Sequence, residues 1–118
     1  MIGIGVDVVD IERFADASPS LLARLFTTQE REYAQRFTNY APAFAARFAA
    51  KEATMKALGV GIGAFEFHDV EVIKLASGAP QLAVTGTAAQ LAKDMGISSW
   101  LVTLSHSRTV ATAVVVAQ

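Results

Sequence analysis

The sequence predicts a small α+β fold. Its 118 residues suit one domain, and 53% of them are apolar, enough to fill a core. Short β-branched stretches and capped, alanine-rich helical stretches follow one another without a regular βαβ rhythm, which argues against a doubly wound parallel sheet.

The elements read as follows. Ile2–Val9 is short, β-branched and strand-like, with Asp7 near its end. Asp10–Phe14 starts a helical turn. Ser18-Pro19 marks a helix start, serine as cap and proline in the first turn. Thr27-Thr-Gln-Glu30 carries the capping-box pattern, predicting a helix through about Phe37. Pro42 to about Leu58 is the longest helical segment, alanine-rich with a loose stripe of Phe44, Phe48 and Met55. The glycines of Gly59–Gly63 end it. Asp69–Leu75 alternates as a strand, Ser77–Pro80 turns, and Gln81–Val84 is extended again. Thr85–Met95 is a helix capped by Thr85 or Thr87 and stopped by Gly96. Trp100–Leu104 and Val110–Ala117 form a hairpin joined through Ser105–Thr109.

Composition removes several classes of function. A net charge of −1 lacks the basic excess of a nucleic-acid binder. With no cysteine there is no disulfide, thiolate metal site or cysteine nucleophile. The first ten residues carry acid and no basic run, so they do not read as a signal peptide. No apolar stretch reaches the roughly 18 residues of a membrane span. A soluble, cytoplasmic protein is the expectation, with neither membrane nor nucleic acid as partner.

Three clusters could carry chemistry. On the long helix, Arg47-Phe-Ala-Ala-Lys-Glu-Ala-Thr-Met-Lys56 places Arg47 four residues before Lys51 and Glu52 four before Lys56. A solvated face with a weak Glu–Lys pair is the plain explanation. The apolar residues around these charges suggest burial instead, and buried charges need partners or ligands. Asp7 is an unusual strand residue. Brought next to Glu52 it would make a hard-oxygen site suited to magnesium, completed by phosphates and water; sequence alone does not bring the two together. Leu104-Ser-His-Ser-Arg108 sets His106 at a strand end beside Ser105, Ser107 and Arg108, a set able to contact an anion. A serine hydrolase is disfavoured, because neighbouring strand residues point to opposite faces and no Gly-x-Ser-x-Gly elbow is present. Gly59–Gly63 is neither a Walker loop nor a dinucleotide fingerprint.

Taken together, Ile4-Gly-Val-Asp-Val-Val-Asp-Ile-Glu-Arg13, Arg47-Phe-Ala-Ala-Lys-Glu-Ala with Lys56-Ala-Leu-Gly59, and Leu104-Ser-His-Ser resemble the holo-acyl-carrier-protein synthases, the short branch of the phosphopantetheinyl transferases. Order, spacing and length match over nearly the whole chain. The resemblance implies one phosphopantetheinyl transferase domain over residues 1–118, with a small antiparallel sheet packed on a long helix. It implies a homotrimer with active sites between subunits. The implied reaction moves 4'-phosphopantetheine from coenzyme A to a serine of apo acyl carrier protein, releasing adenosine 3',5'-bisphosphate, in support of fatty acid or polyketide synthesis.

The site residues follow the same resemblance. Asp7 and Glu52 match the metal carboxylates, with magnesium, or alternatively manganese, as the ion. Lys56 matches the lysine that assists transfer at the phosphate. Arg47 and His106 match residues holding coenzyme A phosphates, with Ser105 beside them, and Gly59, Gly61 and Pro80 border the nucleotide. Arg13 and Arg24 match basic positions meeting the acidic helix of the carrier, with Leu21, Leu22 and Leu25 supplying apolar contacts. Ser107 stands where many relatives carry threonine or aspartate. The proton acceptor is open between Glu52, Asp7 through a metal-bound water, and His106; the first two already serve as ligands, which favours the water. Two rival readings are a phosphohydrolase, which would consume coenzyme A without carrier, and a trimeric module that binds without turnover.

Overall fold

A computed structural model describes residues 2–118. Strand β1 (Gly3–Asp10) leads through a 3-10 turn (Ile11–Phe14) to helix α1 (Pro19–Leu25), α2 (Thr28–Ala34) and the long α3 (Ala41–Leu58). A second 3-10 turn (Phe67–Asp69) precedes the hairpin β2 (Val70–Lys74) and β3 (Pro80–Val84). Helix α4 (Gly86–Asp94) and the hairpin β4 (Trp100–His106) and β5 (Val110–Ala117) complete the chain. The strands form two antiparallel sheets, β1-β5-β4 and β2-β3.

The starts of the first two helices form as their sequences dictate. The Ser18 hydroxyl accepts from the Leu21 amide at 3.2 Å. Thr27 and Glu30 form a reciprocal capping box. Helix α2 ends at Ala34, short of Phe37. Helix α4 is capped differently from expectation. Thr85 occupies the cap position without a side-chain bond to the helix, and Asp69 Oδ2 accepts from the Ala88 amide instead. Strand β4 runs on through Ser105 and His106, so the turn is narrower than expected.

Helix α3 is the axis of the molecule, with 14 of its 18 residues buried. Such a helix cannot keep its charges in water, so they must be paired or functional. It reaches the sheet closely because the facing residues are small. A Cβ on Gly5 would stand 1.9 Å from the Ala53 carbonyl oxygen, and one on Gly3 2.1 Å from that of Ala57. Ala111, Ala113, Val115 and Ala117 of β5 are buried on the sheet's inner face. At the other end, Phe14, Phe26, Phe44 and Phe48 form a ring cluster with centroids 4.8–6.4 Å apart, tying the first 3-10 turn and α1 to α3.

Candidate active site

Strand alternation and helical periodicity bring the carboxylates together. Odd-numbered residues of β1 face α3, and Asp7 is among them. Lys56, in the last turn of α3, donates to Asp7 Oδ1 at 2.9 Å and to the Val6 carbonyl at 3.0 Å. The intrahelical Glu52–Lys56 pair is therefore replaced by one across elements. Glu52 lies one turn before Lys56 and is half-buried. Its pKa is raised, first by burial and then by the charge of Asp7, against the opposing pull of Lys56 and Arg13. A divalent cation between Asp7 and Glu52 would relieve that repulsion. Among the described residues no group of three or more His, Cys, Asp or Glu side chains is placed to hold a metal. Two carboxylates are what a magnesium ion commonly takes from a protein, phosphate and water supplying its other ligands.

Arg47 lies on a different stripe of α3, with Lys51 rather than Glu52. It is only 6% exposed. Its guanidinium stacks 4.2 Å over the Tyr33 ring, and Nη1 donates to the Ala43 carbonyl at 3.4 Å. Burial lowers its pKa, opposed by Tyr33 and Glu30; a guanidinium still keeps its charge. Arg47, Ser105 and His106 line one cleft of about 360 Å³. Pro80 lines an adjoining cleft that also contains Arg47.

These two clusters remain apart within one chain. Asp7 is in register with Ala113 and Leu104, and His106 with Ala111, on opposite sides of the central strand β5. Two strand spacings, roughly 10 Å, separate the strands that carry them. The exposed imidazole turns its Nδ1 to the Ser107 carbonyl, 3.1 Å away.

Gly59 takes φ +71° and ends α3 just beyond Lys56, a left-handed cap that favours glycine. Neither it nor Gly61 has an atom within 4 Å of where a Cβ would stand, and neither joins the Arg47 clefts. Arg13 lies 5.0 Å over the Phe48 ring and within electrostatic reach of Glu52. Arg24 is exposed in the last turn of α1. Leu22 and Leu25 correct the expectation of an apolar contact surface: both are buried in the core, because α1 turns them toward the aromatic cluster. Leu21 is the leucine of the three that reaches the surface.

Two partnerships escape the sequence. Glu30 and Lys51 form a fully buried ion pair at 2.8 Å. Lys51 also donates to the carbonyls of Phe67 and Val70, and Glu30 accepts from the Val72 amide. Burial lowers the Lys51 pKa, with Glu30 opposing. One turn along each helix, Tyr33 meets Arg47. The available signal was spacing: 30 and 33 on one helix, 47 and 51 on the next, each one turn apart.

Known proteins share the sequence and the fold of this chain. Residues 3–115 match the sequence model of the 4'-phosphopantetheinyl transferase superfamily. The holo-acyl-carrier-protein synthase of Frankia casuarinae is 46% identical over 121 residues, covering 100% of this chain and 98% of that one. That of Streptomyces coelicolor is 45% identical with the same coverage. The Helicobacter pylori synthase, solved in complex with coenzyme A, superposes with a TM-score of 0.84 at 30% identity, covering 98% of this chain and 99% of that one. The Bacillus anthracis synthase, solved with coenzyme A (3',5'-ADP), gives 0.82 at 32%, covering 98% and 95%.

Proposed function

This chain belongs to the 4'-phosphopantetheinyl transferase superfamily, and we infer that it acts as a holo-acyl-carrier-protein synthase, moving 4'-phosphopantetheine from coenzyme A to a serine of apo acyl carrier protein. The observation that carries the inference is the meeting of Asp7, Glu52 and Lys56 at one end of α3, in a chain similar over its full length to such synthases. One transferase domain spans residues 1–118, works in the cytoplasm, and supplies holo carriers for acyl-chain synthesis, fatty acids included.

In the reaction the serine oxygen bonds to the β-phosphorus, the bond from that phosphorus to the bridging oxygen breaks, and adenosine 3',5'-bisphosphate leaves with the electron pair. Such a transfer is served mainly by positioning and electrostatics. Asp7 and Glu52 are the residues that would hold a magnesium or manganese ion, which neutralises the diphosphate when bound. Lys56, already at Asp7, brings a mobile positive charge to the transferred phosphate. Arg47 offers a fork suited to phosphate oxygens, and His106 shares its cleft. The serine proton has three candidate acceptors, Glu52, a water held by Asp7 and Glu52, and His106; as both carboxylates would serve as metal ligands, the water is the favoured one. If His106 is not the base, the acidic limb of the pH–rate profile stays in place in His106→Ala; a displaced limb would assign the base to His106.

The partner surfaces follow. Arg13 and Arg24, both exposed, and the part-buried Leu21 are the residues we read as meeting an acidic carrier helix. The outer face of the three-stranded sheet exposes Ile4 (57%), Val6 (54%), Val8 (59%) and Leu101 (55%), an apolar surface suited to self-association. A homotrimer through this face would let neighbouring chains contribute the Asp7–Glu52 cluster and the Arg47–His106 cleft to one coenzyme.

Incubation with coenzyme A, magnesium and an apo carrier tests the reading. The expected result is a carrier mass increased by one phosphopantetheine, absent with Glu52→Gln. An unchanged carrier mass with wild-type protein would overturn it.

A further inference from the structure

Three clefts, of about 360, 550 and 220 Å³, share two residues, Tyr33 and Arg47. Lys74 lines two of them. The Tyr33 ring carries the Arg47 guanidinium at 4.2 Å, and Lys74 Nζ lies 5.5 Å from the same ring and 3.5 Å from its hydroxyl. Tyr33 is therefore flanked by two cations. Of the nearby carboxylates, Glu30 is bound to Lys51, Thr27 and Val72 while its charge still reaches Arg47, Glu71 accepts from Thr27, and Glu32 lines a cleft with Arg47 and Lys74 without an ion pair to either. Arg47 Nε is buried with no hydrogen-bond partner. Two cations gathered at one ring, one of them a guanidinium with an unmatched nitrogen, favour an anion in the clefts they share.

We propose that Tyr33 is a positioning residue for coenzyme recognition, its ring fixing the Arg47 guanidinium and its hydroxyl steering Lys74 so that both cations address the 3'-phosphate of the nucleotide. The proposal rests on the transferase reading. It also follows from geometry. The reacting diphosphate belongs at the Asp7–Glu52–Lys56 cluster, on another stripe of α3. The remaining phosphate of the coenzyme is the one a separate cationic cleft can read. The Glu30–Lys51 pair sets the register one turn away and holds α2 against α3, so the Tyr33 ring is supported from below. Tyr33 touches no reacting atom; it acts through Arg47 and Lys74.

The test is calorimetric titration of the intact protein with adenosine 3',5'-bisphosphate and with adenosine 5'-monophosphate, which lacks the 3'-phosphate. Wild type should prefer the bisphosphate by about 10-fold or more. Tyr33→Ala should shrink that preference by roughly 3-fold or more, up to its complete loss, as expected for losing a desolvated cation–π contact. Its KM for coenzyme A should rise while kcat stays within about threefold and KM for carrier does not move. Tyr33→Phe, which keeps the ring, should restore most of the lost preference. If Tyr33→Ala does not fold, Lys74→Met carries the same test at an exposed position and should also reduce the preference. A folded Tyr33→Ala or Lys74→Met with wild-type preference overturns the proposal. So does a wild type that makes holo carrier yet binds the two nucleotides equally, and there the transferase reading survives. A wild type that binds neither nucleotide and makes no holo carrier overturns both.

Discussion

Glu52 is central to the proposed chemistry, and its environment gives it a pH signature. Its carboxyl holds a proton more tightly in the folded chain than in the unfolded one, because burial and Asp7 oppose its charge. The folded state thus binds more protons over the window from the ordinary glutamate range up to the raised pKa. Metal-free stability falls as pH rises through that window and is level above it. Glu52→Gln removes the loss. Its metal-free melting temperature at neutral pH should match or exceed that of wild type, and added magnesium should leave it unmoved while raising that of wild type. Turnover of this variant should fall about 100-fold or more; survival of turnover at ordinary magnesium would contradict the metal assignment. The sequence made the candidates visible but not their contacts. Lys56 was legible as a partner of Glu52, at helical spacing; only the fold shows that it leaves Glu52 for Asp7.

Among the elements, α3 does most to build the site, and two features hold it in place. The first is the Glu30–Lys51 pair, wholly buried and bonded to backbone groups of Phe67, Val70 and Val72. Glu30→Gln or Lys51→Met leaves one buried charge unmatched and should destabilise by about 3–5 kcal/mol, whereas a well-packed apolar replacement of both should cost less than either alone. Denaturant unfolding of the three variants checks this, and additive losses would argue against a direct pair. The second is the close seat of α3 on β1. Gly5→Ala would drive a methyl into the Ala53 carbonyl and should cost about 3 kcal/mol or more, at the severe end of overpacking. Capping and alanine content made α3 and the start of α2 readable in the sequence. The cap of α4 was not, because it comes from Asp69, distant in sequence. The burial of Leu22 and Leu25 was hidden likewise, since a seven-residue helix offers too few turns to reveal which face meets the core.

At the scale of the whole molecule, the α+β class was legible because the strand and helix periods are distinct and irregularly ordered. The division into two sheets was not, since pairing partners depend on tertiary packing. The exposed apolar sheet face predicts assembly. Val6→Lys should yield folded monomers by sedimentation, with turnover lost if, as proposed, each site draws on two chains; an active monomer would argue against shared sites. Arg24→Glu, on the exposed face of α1, should raise KM for carrier about 10-fold or more and leave KM for coenzyme A nearly unchanged, as expected of a charged rim contact. The central claim is that Asp7, Glu52 and Lys56 serve transfer to a carrier rather than release to water. The most direct measurement is the yield of adenosine 3',5'-bisphosphate and of holo carrier in one reaction, with and without apo carrier. Equal molar yields with carrier, and no bisphosphate without it, are expected. Bisphosphate formed in the absence of carrier would identify a hydrolase and contradict the account.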